Sequence, residues 1–339
     1  MFRKLRNRDF GRLMKTLRGG MADFVPLIEL GIHPSVKKKI LGRDVVSVAD
    51  DIEFMDMMGY DFIKIQPKIT YEISFGQSSD STQVDRAWAP EKGGVISTRE
   101  DFENYRWLKK EDVDYSRFED DINLPEGMGI IGQYGDIFTL AWELMGFENF
   151  AMATFMDPEL AGDVFRRVEE VILSMFDTMA QMDKVGVLWY SDDIAYSTGL
   201  MMSPEFYREY FFPMLGKIGK LAAAVNKPFI YHTDGLLFEV MEDIIGSGVA
   251  ALHPIEPKAM DIKDLKEQFG DRLSFCGGID LDILSRGSIT EVERLTLNFM
   301  DKAMPGGGWC GGSSNSIPDY VPVENYLTMV RVLMENGKY

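Results

Sequence analysis

Eight short apolar runs punctuate the chain, and each ends in a polar, ligand-capable or glycine-rich tip. They occupy residues 24–29 (FVPLIE), 62–66 (FIKIQ), 128–133 (MGIIGQ) and 186–193 (GVLWYSDD), then 228–234 (PFIYHTD), 251–256 (ALHPIE), 273–280 (LSFCGGID) and 308–315 (GWCGGSSN). Stretches with helical character separate most of them. Eight strands alternating with helices predict an α/β fold, a single (β/α)8 TIM-type barrel over 1–339, whose active site lies at the carboxyl ends of the strands. The tips should then face one another around one pocket.

Punctuation supports the helices between the runs. Asp157 before Pro158 and Ser203 before Pro204 place a capping residue ahead of proline at the first helical position. Ser97 with Glu100, and Thr290 with Glu293, have capping-box spacing; Asp261 opens a further helix that Gly270 stops. Residues 1–23 predict an amphipathic lead-in helix. The stretch 67–126, between the second and third strands, is long for a loop and carries a polar piece from Gly76 to Asp85, then Trp88. It reads as a lid or side flap, because it lacks the apolar content for a core of its own. No repeat of solenoid period is present.

Composition narrows the classes of function. The 339 residues are 45% hydrophobic and 27% charged, with a net charge of -18. That balance argues against binding a phosphate backbone, which relies on clustered Lys and Arg. The basic residues near the start (Arg3, Lys4, Arg6, Arg8, Arg12, Lys15, Arg18) alternate with Leu5, Phe10, Leu13, Met14 and Leu17, and predict a solvated amphipathic helix under the barrel. No apolar run approaches the ~18 residues of a membrane span, and no secretory leader is apparent. Two cysteines, Cys276 and Cys310, make no disulfide framework. The expectation is a cytoplasmic protein without nucleic-acid or membrane partners.

The candidate chemistry lies at the tips. His232 and Asp234 are two apart, so they share a face of a regular strand, and imidazole with carboxylate suits a divalent metal, zinc among the candidates. A third ligand would come from Glu29, Glu256, Cys310 or Asn315; the bland alternative is a histidine that only orients substrate. Asp192 and Asp193 cannot both point inward, so one faces the pocket while the other ties backbone donors. Glu29 closes an apolar run, where a carboxylate is costly unless paired or functional. His232, Asp193, Glu29 and Tyr196 are the catalytic candidates; His253, Asp280, Asn315 and Gln133 are the substrate-binding ones; His232, Asp234 and Cys310 are the metal candidates. Glycines at 277–278, 306–308 and 311–312 either cradle phosphate or make room for a bulky ligand.

The ordered blocks Ser191-Asp192-Asp193, Ser203-Pro204-Glu205, His232-Thr233-Asp234-Gly235, Phe275-Cys276-Gly277-Gly278-Ile279-Asp280, Gly306-Gly307-Gly308 and Pro322-Val323-Glu324-Asn325 resemble the uroporphyrinogen decarboxylase superfamily, and more narrowly its corrinoid-dependent methyltransferases. The resemblance covers most of the chain from about Phe24 and is strongest after 186. It implies one barrel and either of two chemistries. Decarboxylases of this superfamily carry arginines near the first strand for a polycarboxylate; here that stretch reads Ile28-Glu29-Leu30-Gly31-Ile32-His33-Pro34, and Glu29 should repel such a substrate. The methyltransferases hold zinc with a His-x-Cys pair and a late cysteine, where this chain has His232-Thr233-Asp234 and Asn315. The resemblance therefore implies an oxygen-rich metal site or none. It implies methyl transfer from a small donor, such as a methoxylated aromatic, to a corrinoid (methylcobalamin) on a separate carrier protein, with a homodimer as one assembly open to the chain. The competing readings are a carboxy-lyase and a non-catalytic corrinoid- or ligand-binding protein.

Overall fold

Seven of the eight runs contain a parallel strand, and the seven pair in chain order: β1 (Phe62–Ile65), β2 (Gly129–Gly135), β3 (Val185–Ser191), β4 (Phe229–His232), β5 (Ala251–His253), β6 (Ser274–Cys276) and β7 (Trp309–Cys310). The computed structural model describes residues 1–73, 76–77, 93–119 and 122–339. Parallel strands covered on both faces need near-continuous apolar sequence, and all seven residues of β2 are buried. The sheet curls into a TIM-type barrel.

The run 24–29 departs from the eight-strand expectation, because Pro26 has no N–H to give to a ladder. It lies beside β7 instead, through a parallel bridge between Leu27 and Gly311. Ile28 N–H donates to the Gly311 carbonyl at 2.9 Å, and Gly311 N–H to that of Pro26 at 2.8 Å. The approach continues one residue on. A Cβ on Gly312 would sit 1.9 Å from the Ile28 carbonyl oxygen, so only glycine fits there. This contact brings Glu29 to the barrel mouth.

The lead-in is two pieces, a 3-10 turn Phe2–Leu5 and helix α1 (Phe10–Leu17), separated at 6–9 where Asn7 and Asp9 are poor helix formers. Helix α1 crosses the amino ends of the strands. The Phe10 ring fills the space above Gly129 and Gly186, while Ser274 Oγ accepts from Gly19 N–H and donates to the Thr16 carbonyl. The solvated basic face that sequence pattern predicts is present only in part: Lys4, Lys15 and Arg18 are exposed, whereas Arg6 and Arg12 are buried. Arg12 is buried, with Nη1 2.8 Å from Asp61 and Nε 2.6 Å from Asp23; Arg3 reaches both Asp56 and Asp61, and Arg8 reaches Asp56. Three aspartates the pattern left unassigned supply the partners.

Helices α2 (Pro34–Leu41) and α3 (Val48–Met58) follow the first run, and α4 (Ile137–Met145) follows β2. Among the capping residues, Asp157, Ser203 and Asp261 each accept a backbone N–H as the spacing predicts. The two boxes shift: Thr98 with Asp101 replaces Ser97 with Glu100, and Ser288 with Glu291 replaces Thr290 with Glu293. In the insertion, Ile96, Val113 and Phe118 join the main buried cluster, and Lys68 bridges Asp114. The polar piece from 78 to 85 and Trp88 lie outside the described residues.

Candidate functional site

The carboxyl ends of β3 and β4 bring three of the sequence candidates together. His232 ends β4 and is buried; Asp193 and Asp234 each lie two residues past a strand end. Asp193 Oδ1 is 3.6 Å from His232 Nε2 and accepts the Asp234 backbone N–H at 3.0 Å. One ligand-capable atom from each of Asp193, His232 and Asp234 lies within 4.8 Å of the others. Thr233, between His232 and Asp234, instead accepts the Ile194 N–H on its Oγ1. Alternation along the strand thus separates its roles.

The consecutive aspartates divide as their spacing predicts. Asp192 is buried and accepts from Tyr190 Oη (2.5 Å), Phe138 N–H (2.6 Å) and Thr139 N–H (3.1 Å), the last two at the start of α4. Burial pushes its carboxyl up to about 6, and those donors oppose the shift. Asp192 anchors the strand end, while Asp193 faces the histidine.

Supporting contacts orient the trio. Asn315 Nδ2 donates to Asp234 Oδ2 at 2.6 Å. His232 Nδ1 and His253 Nδ1 are 2.8 Å apart, one holding the proton and the other accepting it. His253 is fully buried against the Trp189 ring, 4.9 Å between centroids, and burial drives it well below the usual imidazole range. These contacts direct His232 Nε2 toward Asp193. A zinc ion with ligands at ~2.0–2.2 Å spans a comparable ligand-to-ligand separation, so one imidazole and two carboxylates fit a borderline-to-hard divalent cation. Their partners Asn315 and His253 are of the kind that orient metal ligands.

Glu29 belongs to the same network. Its buried carboxyl accepts from Ser313 N–H (2.9 Å) and from Ser313 Oγ (2.6 Å), a hydroxyl that also lies 2.6 Å from the Asn315 carbonyl. Burial pushes Glu29 up to about 8 against the opposing effects of Ser313 and Lys64. Across the mouth, Lys64 donates to Gln133 Oε1 at 2.8 Å and lies 4.9 Å above the Trp189 ring; Gln133 donates to Ser191 Oγ at 3.0 Å. Burial and then Lys37 lower Lys64 to about 7, while Glu29 and Asp51 act the other way. A cavity of about 250 Å³ opens here, and its lining includes Glu29, Lys64, Gln133, Lys37, Asp51 and Arg117.

The remaining candidates fall elsewhere. Cys310 is buried beside Cys276 on β7 and β6, apart from the Asp193–His232–Asp234 cluster; burial and that neighbour push its thiol up, away from the thiolate a metal needs. Asp280 caps the helix Leu281–Arg286 by accepting the Asp282 N–H. The Tyr196 side chain is exposed in a hairpin with Gly199–Leu200, though its carbonyl accepts the Leu236 N–H. Gly307 and Gly308 precede β7 and pack against Gly19, Gly20 and Met21 at the closed end, with open space beside Gly306, while Gly277 faces the Ser313 carbonyl and Gly278 the Phe299 ring. At Gly277, Gly278, Gly307, Gly311 and Gly312, protein occupies the space expected for phosphate or ligand. Sequence pattern missed Lys37, Asp51, Lys64 and Arg117. Of these only Lys64 carried a signal, as a lone cation inside the apolar run 62–65. The acidic floor expected from Glu29 is also corrected, since three cations line the same cavity.

A parallel barrel with an acid–histidine cluster at its carboxyl mouth defines the class. The chain belongs to the uroporphyrinogen decarboxylase family, whose model matches residues 120–335. A methyltransferase from Methanosarcina mazei superposes with a TM-score of 0.67 at 19% identity, over 96% of this chain and 97% of that one, and shares the fold. A sugar phosphate isomerase/epimerase from Parabacteroides distasonis gives a TM-score of 0.39 at 10% identity, over 93% of this chain and 95% of that one. No curated protein matches the chain in sequence.

Proposed function

We propose that this chain is a methyltransferase moving a methyl group from a small methylated donor, a methoxylated aromatic or similar, to the cobalt of a corrinoid on a carrier protein. The observation that carries this reading is the convergence of Asp193, His232 and Asp234 at the barrel mouth, linked through Asn315 and Ser313 to Glu29 at the cavity. The neighbour with the same fold is itself a methyltransferase, which agrees with the reading.

Transfer breaks the methyl–oxygen bond and leaves the electron pair on oxygen. That oxygen needs a proton or a nearby positive charge as the methyl departs to reduced cobalt. A divalent cation, held by Asp193, His232 and Asp234, would supply Lewis-acid polarisation. His232 Nε2, placed by His253 and facing Asp193, can instead hold the proton for the leaving oxygen. Glu29, its carboxyl held by Ser313 and its pKa pushed up by burial, borders the bound donor, and Gln133 is fixed between Lys64 and Ser191 to position it.

The family also contains decarboxylation as a chemistry. A cavity of about 250 Å³ falls below the ~300–1,000 Å³ of pockets for drug-sized ligands. It suits one substituted ring better than a tetrapyrrole. The test combines purified protein with a reduced corrinoid carrier and a panel of methoxy-aromatics and methylamines, following methyl-cobalt formation by absorbance. Turnover with a methoxy-aromatic is expected. No methyl-cobalt with any donor would overturn the reading, and porphyrinogen turnover without corrinoid would establish the lyase instead.

A further inference from the structure

We infer that the cavity beside Glu29 is a subsite for a carboxylate, held by Lys64, Lys37 and Arg117, so that the ligand of this barrel is an aromatic or similarly apolar acid. The inference deepens the methyl-donor reading and rests on it for the ligand's methyl group alone.

Three separate elements supply the cations: Lys64 from β1, Lys37 from α2, and Arg117 from the short helix Ser116–Glu119 of the insertion. In a chain of net charge -18, three cations around one small cavity run against the overall balance. The acids present are largely committed. Asp51 lies 2.5 Å from Lys37 and 3.8 Å from Arg117, so one carboxylate serves two cations. Glu29 is turned to Ser313.

The direct contacts of Lys64 are neutral, the Gln133 carbonyl oxygen and the Trp189 ring, while Lys37, Glu29 and Asp51 act on it from farther off. Among the described residues no carboxylate stands within ion-pair distance of its amine. A buried ammonium without a counter-ion is unfavourable, and its lowering to about 7 agrees with that environment. A ligand carboxylate would supply the missing charge. Apart from Gln66, the rest of the wall, including Leu30, Ile32, Pro34, Met55 and Ile63, is apolar and fits the body of such an acid.

Calorimetric titration of the full chain, without corrinoid or carrier, tests this with three probes: 4-methoxybenzoate, neutral 4-methoxybenzyl alcohol, and benzoate, which has no methyl ether. The acid should bind about tenfold or more tightly than the alcohol, as a charge-assisted hydrogen bond implies. Lys64→Met should remove that advantage while leaving alcohol affinity within about twofold. Arg117→Gln, at a part-exposed position, should weaken both acids severalfold and serves if Lys64→Met does not fold. Benzoate separates this inference from the methyl-transfer reading: Lys64-dependent benzoate binding sustains the subsite even where no methyl-cobalt forms. Equal affinity for acid and alcohol, undiminished acid binding by Lys64→Met or Arg117→Gln, or no binding of either acid at millimolar concentration would overturn it.

Discussion

Glu29 and Lys64 face one cavity with their titration ranges drawn together by burial, the carboxyl up to about 8 and the amine down to about 7. Glu29 ordinarily titrates at 4.5. Between that value and about 8 the folded protein keeps a proton that the unfolded chain has released, so folding stability from this group is complete below the window and is lost as pH rises through it. Glu29→Gln keeps a partner for Ser313 but cannot ionise. Its stability relative to the parent should therefore grow steadily from pH 5 to pH 8.5 in urea unfolding; a difference independent of pH would contradict the buried carboxyl. Lys64 has the opposite sign, its burial penalty present below about 7 and relieved as pH rises toward 10.5. At the cluster, His232→Ala should reduce methyl transfer by ~10²–10⁴-fold, the usual range for a lost acid–base group. Elemental analysis of the same variant tests the metal: unchanged metal content would exclude His232 as a required ligand.

The elements deliver these side chains through close backbone approaches more than through long ladders. The run 24–29 is held to β7 by two hydrogen bonds and by glycine at 312, where an added methyl would collide with the Ile28 carbonyl. Gly312→Ala should cost ~1–3 kcal/mol, as overpacking does, read as a lower urea midpoint. It should also disturb the neighbouring Ser313–Glu29 contact. The N-terminus of α4 acts similarly, since its free N–H groups fix Asp192 and leave Asp193 to the histidine. Each element therefore sets the direction of a residue one or two positions away, which strand periodicity alone could suggest only for His232 with Asp234 and for the split between Asp192 and Asp193.

Across the whole molecule, the closed end is tied by ion pairs of very different burial. The Arg12–Asp61 pair is 3% exposed on both sides, whereas Arg8 is 33% exposed beside Asp56. Breaking the first leaves the buried Asp61 with Arg3 alone and takes a second pair, to Asp23, with it; breaking the second leaves the part-exposed Asp56 with Arg3 and water. Arg12→Met should destabilise by ~3–5 kcal/mol and Arg8→Ala by under ~1 kcal/mol, compared by urea unfolding at one pH. Comparable losses in the two variants would show that burial does not grade these pairs. The open end carries the cation-lined cavity, so anchoring and ligand chemistry lie at opposite ends of the strands.

Pattern alone determined the number and order of the runs, the barrel class, the placing of ligand-capable residues at the strand tips and the nearness of His232 to Asp234. All of these depend on periodicity and local spacing, which the chain carries residue by residue. The capping boxes slipped by one or two residues because neighbouring Ser and Thr compete equally well for the same backbone donors. Tertiary structure decided the rest. It brought Asp193 to His232, Asn315 to Asp234 and Ser313 to Glu29, and it moved Cys310 beside Cys276. It gathered Lys37, Asp51, Lys64 and Arg117 around one cavity from four stretches between residues 37 and 117. Nothing local encodes which distant charge will share a cavity, because that depends on how the curled sheet and its covering segments meet.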